Sequence, residues 1–156
     1  MRNRIKMNQQ TKRLIAELRK NGRENITILA KKYDYPKSTL YDLLHRLEEN
    51  KIIMHTSKVN FEKLGFPLQV FIIAKTTPQN KENLKNYLLS RKNINNIHRI
   101  NQTTSYHIEA IFKNHHELEE FLEALETNNT LTELNVYNVI ENIASEKFLT
   151  SEEEFE

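Results

Sequence analysis

Cysteine and tryptophan are absent from this 156-residue chain, and glycine occurs only twice, at Gly22 and Gly65. Without cysteine the chain forms no disulfide, no thiolate nucleophile and no cysteine-ligated zinc site. Two isolated glycines cannot build the glycine-rich loops that hold phosphates in most nucleotide-binding enzymes. No apolar run approaches the ~20 residues of a membrane-spanning helix, and no apolar stretch follows the basic N-terminus as in a secretory signal. We therefore expect a cytoplasmic protein without a cofactor or a membrane partner.

Charge is distributed unevenly along the chain. Residues 1–60 hold 14 Lys and Arg against 6 Asp and Glu, a net charge of +8, whereas residues 61–156 hold 9 against 15, a net charge of −6. Basic surface attracts the phosphates of nucleic acid, and phosphate neutralisation releases condensed counterions. The first part is expected to bind double-stranded DNA, and the second part to serve assembly or sensing. The alternative is a charge gradient without function.

The basic part has the apolar periodicity of three short helices. They are predicted at about residues 9–20, 26–33 and 36–50, with Asn25 as the N-cap of the second helix. Asn21-Gly22 ends the first helix, and Asp34-Tyr35-Pro36 separates the second from the third. A short helix, a tight turn and a longer helix make a helix-turn-helix, whose last helix enters the major groove.

Polar side chains opposite the leucines of the third helix are candidates for reading base edges. They are Lys37, Ser38, Thr39, Tyr41 and His45. Asp42 shares this face, where it repels phosphate unless it accepts a hydrogen bond from a cytosine amino group. Basic residues nearby are candidates for contacts to the DNA backbone: Arg23, Lys31, Lys32, Arg46 and Lys58.

Two segments outside the helices complete a predicted DNA-binding domain of residues 1–60. Residues 51–53 and 56–59 are rich in β-forming residues and predict two short strands, hence a winged helix-turn-helix. Arg2, Arg4 and Lys6 form a basic N-terminal arm that adds phosphate contacts; an inert terminus is the alternative.

Residues 61–150 show the order strand, helix, strand, strand, helix, strand. The strands are predicted at 68–74, 94–100, 106–112 and 130–143, and the helices at 80–90 and 114–125. This βαββαβ order predicts a ferredoxin-like domain, an antiparallel sheet with both helices on one face. The fold class is therefore α+β. Residues 151–156 are predicted to be a disordered acidic tail.

The uncovered face of this sheet is expected to be apolar. In the first strand Val70 and Ile72 point one way, and Phe71 and Ile73 point the other way. Because both faces are apolar, the uncovered face needs a partner, and the simplest partner is the same sheet of a second chain. We take Val70, Phe71, Ile72 and Ile73 as the candidate dimer interface. The alternative is that the wing or the tail covers this face.

Several stretches resemble the DNA-binding domain of the Lrp/AsnC family of regulators. They are Asn21-Gly22-Arg23, Leu29-Ala30-Lys31-Lys32, Lys37-Ser38-Thr39-Leu40-Tyr41, Arg46-Leu47-Glu48-Glu49 and Ile52-Ile53, with Leu64-Gly65 at the passage to the second domain. The resemblance implies a sequence-specific transcriptional regulator that is not an enzyme. It also implies that the second half is a regulatory domain of the RAM type, which forms homodimers and assemblies from tetramer to octamer.

The same resemblance implies a small-molecule effector near the turn between the second and third strands. The candidate residues are Gln102, Thr103, Thr104 and Ser105. Gln102 and Ser105 stand where the family usually has Gly and Asp, so an amino acid is not the effector that these residues favour. A plain polar hairpin is the alternative. Pro36, Leu43 and Asp34 also depart from the family pattern, where a capping Ser, an Arg and a turn glycine are usual.

The sequence also bears on a metal site and on two other functions. His98 and His107 lie on predicted neighbouring strands, but zinc needs three or four convergent ligands, so no metal site is expected. A tetrapyrrole decarboxylase on a similar two-domain layout is one alternative; Arg91 and Arg99 are the only arginines after residue 60. A metabolite-sensing module without DNA binding is another.

Overall fold

The computed structural model describes residues 7–101 and 104–155. The chain divides into two compact units. Residues 1–57 and 143–156 form the first, which we call the helical unit, and residues 58–142 form the second, which we call the sheet unit. The sequence pattern placed the end of the first domain at residue 60. It also assigned residues 143–150 to the second domain, whereas their contacts join them to the first.

Three helices form the helical unit: α1 (Gln9–Lys20), α2 (Ile26–Tyr33) and α3 (Lys37–Glu49). Asn8 caps α1 by accepting from the Thr11 amide at 2.9 Å, and Asn25 caps α2 by accepting from the Thr27 amide at 2.8 Å. These bonds satisfy amide groups that a helix start leaves unpaired. The three predicted helices are confirmed, with ends within about one residue of the prediction.

The apolar faces of the three helices meet in one core. Leu14, Leu29, Leu40 and Leu47 are almost completely buried there. Asp34 ends α2 in the left-handed conformation, with φ of 53°. Asp tolerates this conformation better than most residues with a Cβ, so it makes the turn that glycine usually makes.

The two strands predicted after α3 are absent. Residues 51–60 contain turns and bends but no strand, so the prediction of a winged helix-turn-helix was wrong about the wing. The Ile52 amide instead donates to the Leu47 carbonyl at 2.9 Å, and Ile53 packs against the helical core. Ile53 therefore contributes its apolar side chain to the helical core and does not pair in a sheet.

The described part of the C-terminal segment, residues 143–155, lies within the helical unit, whereas the sequence predicted a disordered tail for residues 151–156. Phe155 packs against the core of the three helices, and Glu153–Phe155 form a 3₁₀ turn. Glu152 accepts from Nε of Arg13 at 2.7 Å, Arg19 pairs with Glu146, and Nε of Arg19 donates to the Phe148 carbonyl at 3.1 Å. Acidic residues at the end of the sequence therefore lie beside basic residues of α1.

The sheet unit contains β1 (Leu68–Thr76), α4 (Lys81–Leu89), β2 (Ile94–Ile100), β3 (Ser105–Phe112), α5 (His115–Asn128) and β4 (Leu131–Asn138). The strands are antiparallel in the order β2-β3-β1-β4. The ferredoxin-like βαββαβ prediction is confirmed. One boundary differs, since β4 ends at Asn138 rather than at residue 143; Ile140 and Ile143 beyond it are exposed.

One face of the sheet packs against α4 and α5. Val70, Ile72, Ile108 and Phe112 are fully buried there, with Leu125 of α5 opposite them. The other face, which we call the open face, has no helix of the sheet unit against it. Within residues 7–101 and 104–155, no helix combines the length and apolar character that crossing a membrane requires.

Candidate nucleic-acid interface

Four of the five predicted base-reading residues are exposed on α3, and Thr39 is half-buried. Lys37, Tyr41 and His45 are spaced four residues apart, so they follow one another along a single ridge of the helix. Nζ of Lys37 lies 5.5 Å from the centre of the Tyr41 ring, and 46% of the Tyr41 surface is exposed. The geometry thus places a cation, an aromatic hydroxyl and an imidazole in one row beside solvent.

Acidic groups accompany this row. Nε2 of His45 lies 3.2 Å from the Glu49 carboxylate one turn further along. Asp42 is also exposed, and Nε of Arg46 donates to the Asp42 carbonyl oxygen at 3.3 Å. Because carboxylates repel phosphate, the end of α3 near Glu49 is the less favourable end for DNA, and the start near Lys37 is the more favourable one.

The candidate residues for contacts to the DNA backbone differ in whether a carboxylate already pairs with their charge. Lys31 and Lys32 occupy the last turn of α2, and both are exposed. Lys32 is bound to Glu17 of α1 at 3.0 Å, and this hydrogen bond is the main reason why the pKa of Lys32 is raised. Lys31 makes no ion pair with any residue that the structure describes. Lys31 is therefore the better placed of the two for a phosphate.

A partly buried contact joins α1 to α2, and no feature of the sequence pointed to it. Glu17 accepts from the Tyr33 hydroxyl at 2.8 Å and lies 3.7 Å from Lys20. The hydrogen bond from Tyr33 lowers the pKa of Glu17, while burial raises the pKa of Tyr33. Sixteen residues separate the pair, so no local pattern in the sequence signals this contact.

Two of the remaining backbone candidates lie in the helical unit, and the third does not. Arg23 is exposed in the loop between α1 and α2, and Arg46 is exposed on α3. Lys58 is the first residue of the sheet unit rather than part of the helical unit. The structure therefore brings nine of the ten predicted DNA-contacting residues together in the helical unit. The predicted arm at Arg2, Arg4 and Lys6 lies outside the described residues.

The predicted effector residues are only partly described. Gln102 and Thr103 lie outside the described residues. Thr104 is half-buried and its hydroxyl donates to the Thr76 carbonyl, and Ser105 is buried at the start of β3. The hydroxyl of Thr104 thus joins the start of β3 to the end of β1, and both the effector site and the plain hairpin stay predictions.

The four residues of the predicted dimer interface lie on opposite faces of β1, two on each face. Val70 and Ile72 are fully buried beneath the helices of their own chain, so they cannot contact a partner and this part of the prediction is wrong. Phe71 and Ile73 are half-buried on the open face. Phe71 stacks on His107 with ring centres 5.0 Å apart, and His98 lies 6.2 Å from His107. The alternation of β1 explains the difference, because successive side chains point to opposite faces.

Comparison with known proteins adds to this geometry. No family model matches the chain. HTH-type transcriptional regulators of Pyrococcus horikoshii and Pyrococcus furiosus, both described as uncharacterised, are 40% identical to it over 68 residues. That match covers 43% of this chain and 45% of either relative, so the chain spans less than half the length of these relatives. A regulator of the same description from Pyrococcus abyssi is 22% identical over 131 residues, 89% of its length.

Solved structures match over nearly the whole chain. This chain combines a helix-turn-helix unit with a ferredoxin-like unit, and that combination defines a class of two-domain proteins. B. subtilis LrpC superposes with a TM-score of 0.79 at 22% identity, covering 90% of this chain and 99% of that one. E. coli AsnC superposes with a TM-score of 0.80 at 16% identity, covering 90% and 97%. A transcriptional regulator of Neisseria meningitidis in complex with L-Met gives 0.81 at 17% identity, covering 89% and 93%. The chain has the Lrp/AsnC fold, which confirms the resemblance seen in the sequence.

Proposed function

We propose that this protein is a sequence-specific DNA-binding transcriptional regulator. The observation that carries the proposal is the exposed row of Lys37, Tyr41 and His45 on the last helix of a helix-turn-helix. In this motif the last helix lies in the major groove, where such side chains hydrogen-bond to base edges. The names of the Pyrococcus relatives, all HTH-type transcriptional regulators, support the same reading.

Contacts to the DNA backbone are assigned to Arg23, Lys31 and Arg46, with smaller contributions from Lys32 and Lys58. Lys32 contributes less because its ammonium group already binds Glu17 at 3.0 Å. Backbone contacts position the protein and carry no sequence information, whereas the contacts from α3 choose the site.

Dimerisation through the open face of the sheet completes the proposal. Phe71 and Ile73 point away from the helices, and Tyr137 of β4, the cross-strand partner of Phe71, is 54% exposed. Apolar and aromatic surface of this kind is stabilised when a second copy covers it, and a two-fold dimer presents two α3 helices to paired half-sites. Dimers of this kind then associate into tetramers or octamers.

The test is a binding experiment on DNA fragments selected from a random pool. Tyr41→Ala and His45→Ala are expected to reduce binding to the selected site by about 1–3 kcal/mol and to leave binding to random DNA nearly unchanged. Lys31→Ala is expected to weaken binding to both DNAs and to lower the slope of log affinity against log salt by about one. Lys85→Ala, on α4 of the sheet unit, is the control.

Equal losses on selected and random DNA for Tyr41→Ala and His45→Ala remove the assigned role of α3. Absence of any binding to duplex DNA at low salt removes the whole proposal and leaves a sensing module without DNA binding.

A further inference from the structure

An apolar groove lies at the end of the sheet where β1 begins and β3 ends. It has a volume of about 680 Å³, and its apolar lining comes from the segment before β1, from β2 and from β3: Phe61, Leu64, Phe66, Ile94 and Ile111. Ile111 pairs with Gln69, two residues before Phe71 on β1, so Ile111 faces the same side of the sheet as Phe71. The groove therefore adjoins the open face.

Two cations add positive charge to this groove. Lys92 and Lys113 belong to its lining, and Nζ of Lys113 lies 5.6 Å from the centre of the Phe66 ring. Within residues 7–101 and 104–155, no carboxylate lies within 4.0 Å of either ammonium group. Glu117 also lines the groove, but its carboxylate accepts from the backbone amide of Lys113 at 3.1 Å. The groove thus combines apolar surface with a surplus of positive charge.

The segment that follows β4 has the complementary character. Ile140 is 98% exposed, and Glu141 beside it is exposed and forms no ion pair with any residue that the structure describes. The Val139 amide donates to the Gln69 carbonyl at 2.9 Å, so this segment leaves the sheet beside the start of β1, at the same end as the groove. An exposed isoleucine followed by a carboxylate matches apolar surface with unpaired cations.

Within one chain this segment and the groove lie at opposite edges of the sheet. The order β2-β3-β1-β4 separates β4 from β2 by three strand spacings of about 4.8 Å each. In a two-fold dimer with stacked open faces and an axis parallel to the strands, β4 of one sheet lies over β2 of the other. Rotation about that axis keeps the ends of the strands in place, so Ile140 of the second copy comes to the groove of the first.

We propose that residues 139–142 of a second copy dock in this groove. Ile140 of the second copy fills the apolar part, and Glu141 of the second copy pairs with Lys113. The proposal rests on the dimer through the open face that we proposed above, and it adds the contact that fixes how the two sheets are aligned. A two-fold axis forms this contact twice, so each substitution acts twice in a dimer.

The first experiment measures the dimer dissociation constant of the full chain by sedimentation equilibrium. Ile140→Ser is expected to raise this constant about tenfold, because two apolar contacts are lost from each dimer. Ile140 is 98% exposed in the single chain, so this variant is expected to keep its fold. Leu89→Ser, at a 65% exposed position on α4, is the matched control and should leave the constant unchanged.

The second experiment reverses charges across the proposed contact. Glu141→Lys and Lys113→Glu are each expected to raise the dissociation constant about fivefold, because like charges then face each other twice. An equal mixture of the two variants should form heterodimers as tight as the unchanged dimer, since each groove then meets a segment of opposite charge. A contact within one chain gives no such recovery on mixing.

The outcomes separate this contact from the proposals on which it rests. A dimer that Phe71→Asp dissociates but Ile140→Ser does not, or charge variants that do not recover on mixing, overturn the docking and leave the open-face dimer in place. Equal weakening by Leu89→Ser and Ile140→Ser identifies a general surface effect and also overturns the docking. A chain that stays monomeric at every concentration overturns the docking and the dimer together. DNA binding, measured separately, decides the regulator function.

Discussion

The helical unit and the sheet unit bury their apolar residues in different ways. In the helical unit the leucines of α1, α2 and α3 face one another, and the C-terminal Phe155 packs against the core that they form. In the sheet unit α4 and α5 cover one face, while Phe71, Ile73 and Tyr137 remain on the other. The first unit completes its core with its own chain, whereas the second leaves apolar side chains on its open face. The proposed binding of DNA and the proposed binding of a second copy therefore belong to different units.

Charge gives a second contrast between the units. Residues 1–57 hold 13 Lys and Arg against 6 Asp and Glu, and residues 143–156 add one Lys and five Glu. The helical unit therefore has a net charge of +3, and the sheet unit, with 9 against 10, has −1. Most of the acidity that the sequence assigns to the second half thus belongs to the C-terminal segment, which lies against α1.

Core substitutions give the largest expected effect and test whether the units are independent. Leu47 and Leu125 are fully buried, each in the core of its own unit. Leu47→Ala and Leu125→Ala are each expected to lower the free energy of unfolding of their own unit by about 2–5 kcal/mol. Urea denaturation followed by residue-resolved NMR measures the two units separately. Equal destabilisation of both units by either variant shows that the units unfold together.

A charge on the open face is expected to have the next largest effect. Phe71→Asp places a carboxylate in the proposed dimer interface, and we expect the dimer to weaken by about 2–4 kcal/mol. Light scattering at several protein concentrations measures the shift toward monomers. Leu89→Asp, at a 65% exposed position on α4, is the control and should leave the dimer intact. Equal dissociation by both variants argues against an interface on the open face.

Removal of the C-terminal segment tests its role in the helical unit. A chain ending at Asn142 loses the packing of Phe155 and the Glu152–Arg13 ion pair. We expect a loss of about 1–3 kcal/mol in the stability of the helical unit. We also expect tighter binding to random DNA with a steeper salt dependence, because the net charge of this unit rises. Phe155→Ala separates the two effects, since it should reduce stability and leave the salt dependence unchanged.

The Glu17–Tyr33 contact is expected to give the smallest effect, visible as a pH dependence. The pKa of Glu17 is lowered from 4.5, chiefly by the Tyr33 hydroxyl, so its stabilising contribution is present above pH 4.5. That contribution is lost as the pH falls below 4.5 through the lowered pKa. Urea midpoints of the helical unit from about pH 3 to pH 7 measure it, and Glu17→Gln should flatten the acid limb. An unchanged limb in this variant assigns the acid sensitivity to other carboxylates.

Local patterns in the sequence predicted the helices and strands, because helix caps and apolar periods act between residues close together in the chain. Asn25 and the apolar spacing of Ile26 and Leu29 determine where α2 begins, and the structure starts it at Ile26. Alternation predicted the direction of each side chain in β1. Even so, assigning Val70 and Ile72 to the dimer interface was wrong, because only the placement of α4 and α5 decides which face of a strand is covered.

The sequence by itself determined three helices, a βαββαβ order and a polar row on α3, since helix caps and apolar periods act within a few residues. Tertiary structure alone decided the packing of Phe155 against the helical core, the Arg13–Glu152 ion pair and the Glu17–Tyr33 contact. The two side-chain contacts join residues that lie 16 and 139 positions apart on different elements. Their contacts depend on how helices and strands pack, and no local period in the chain encodes that.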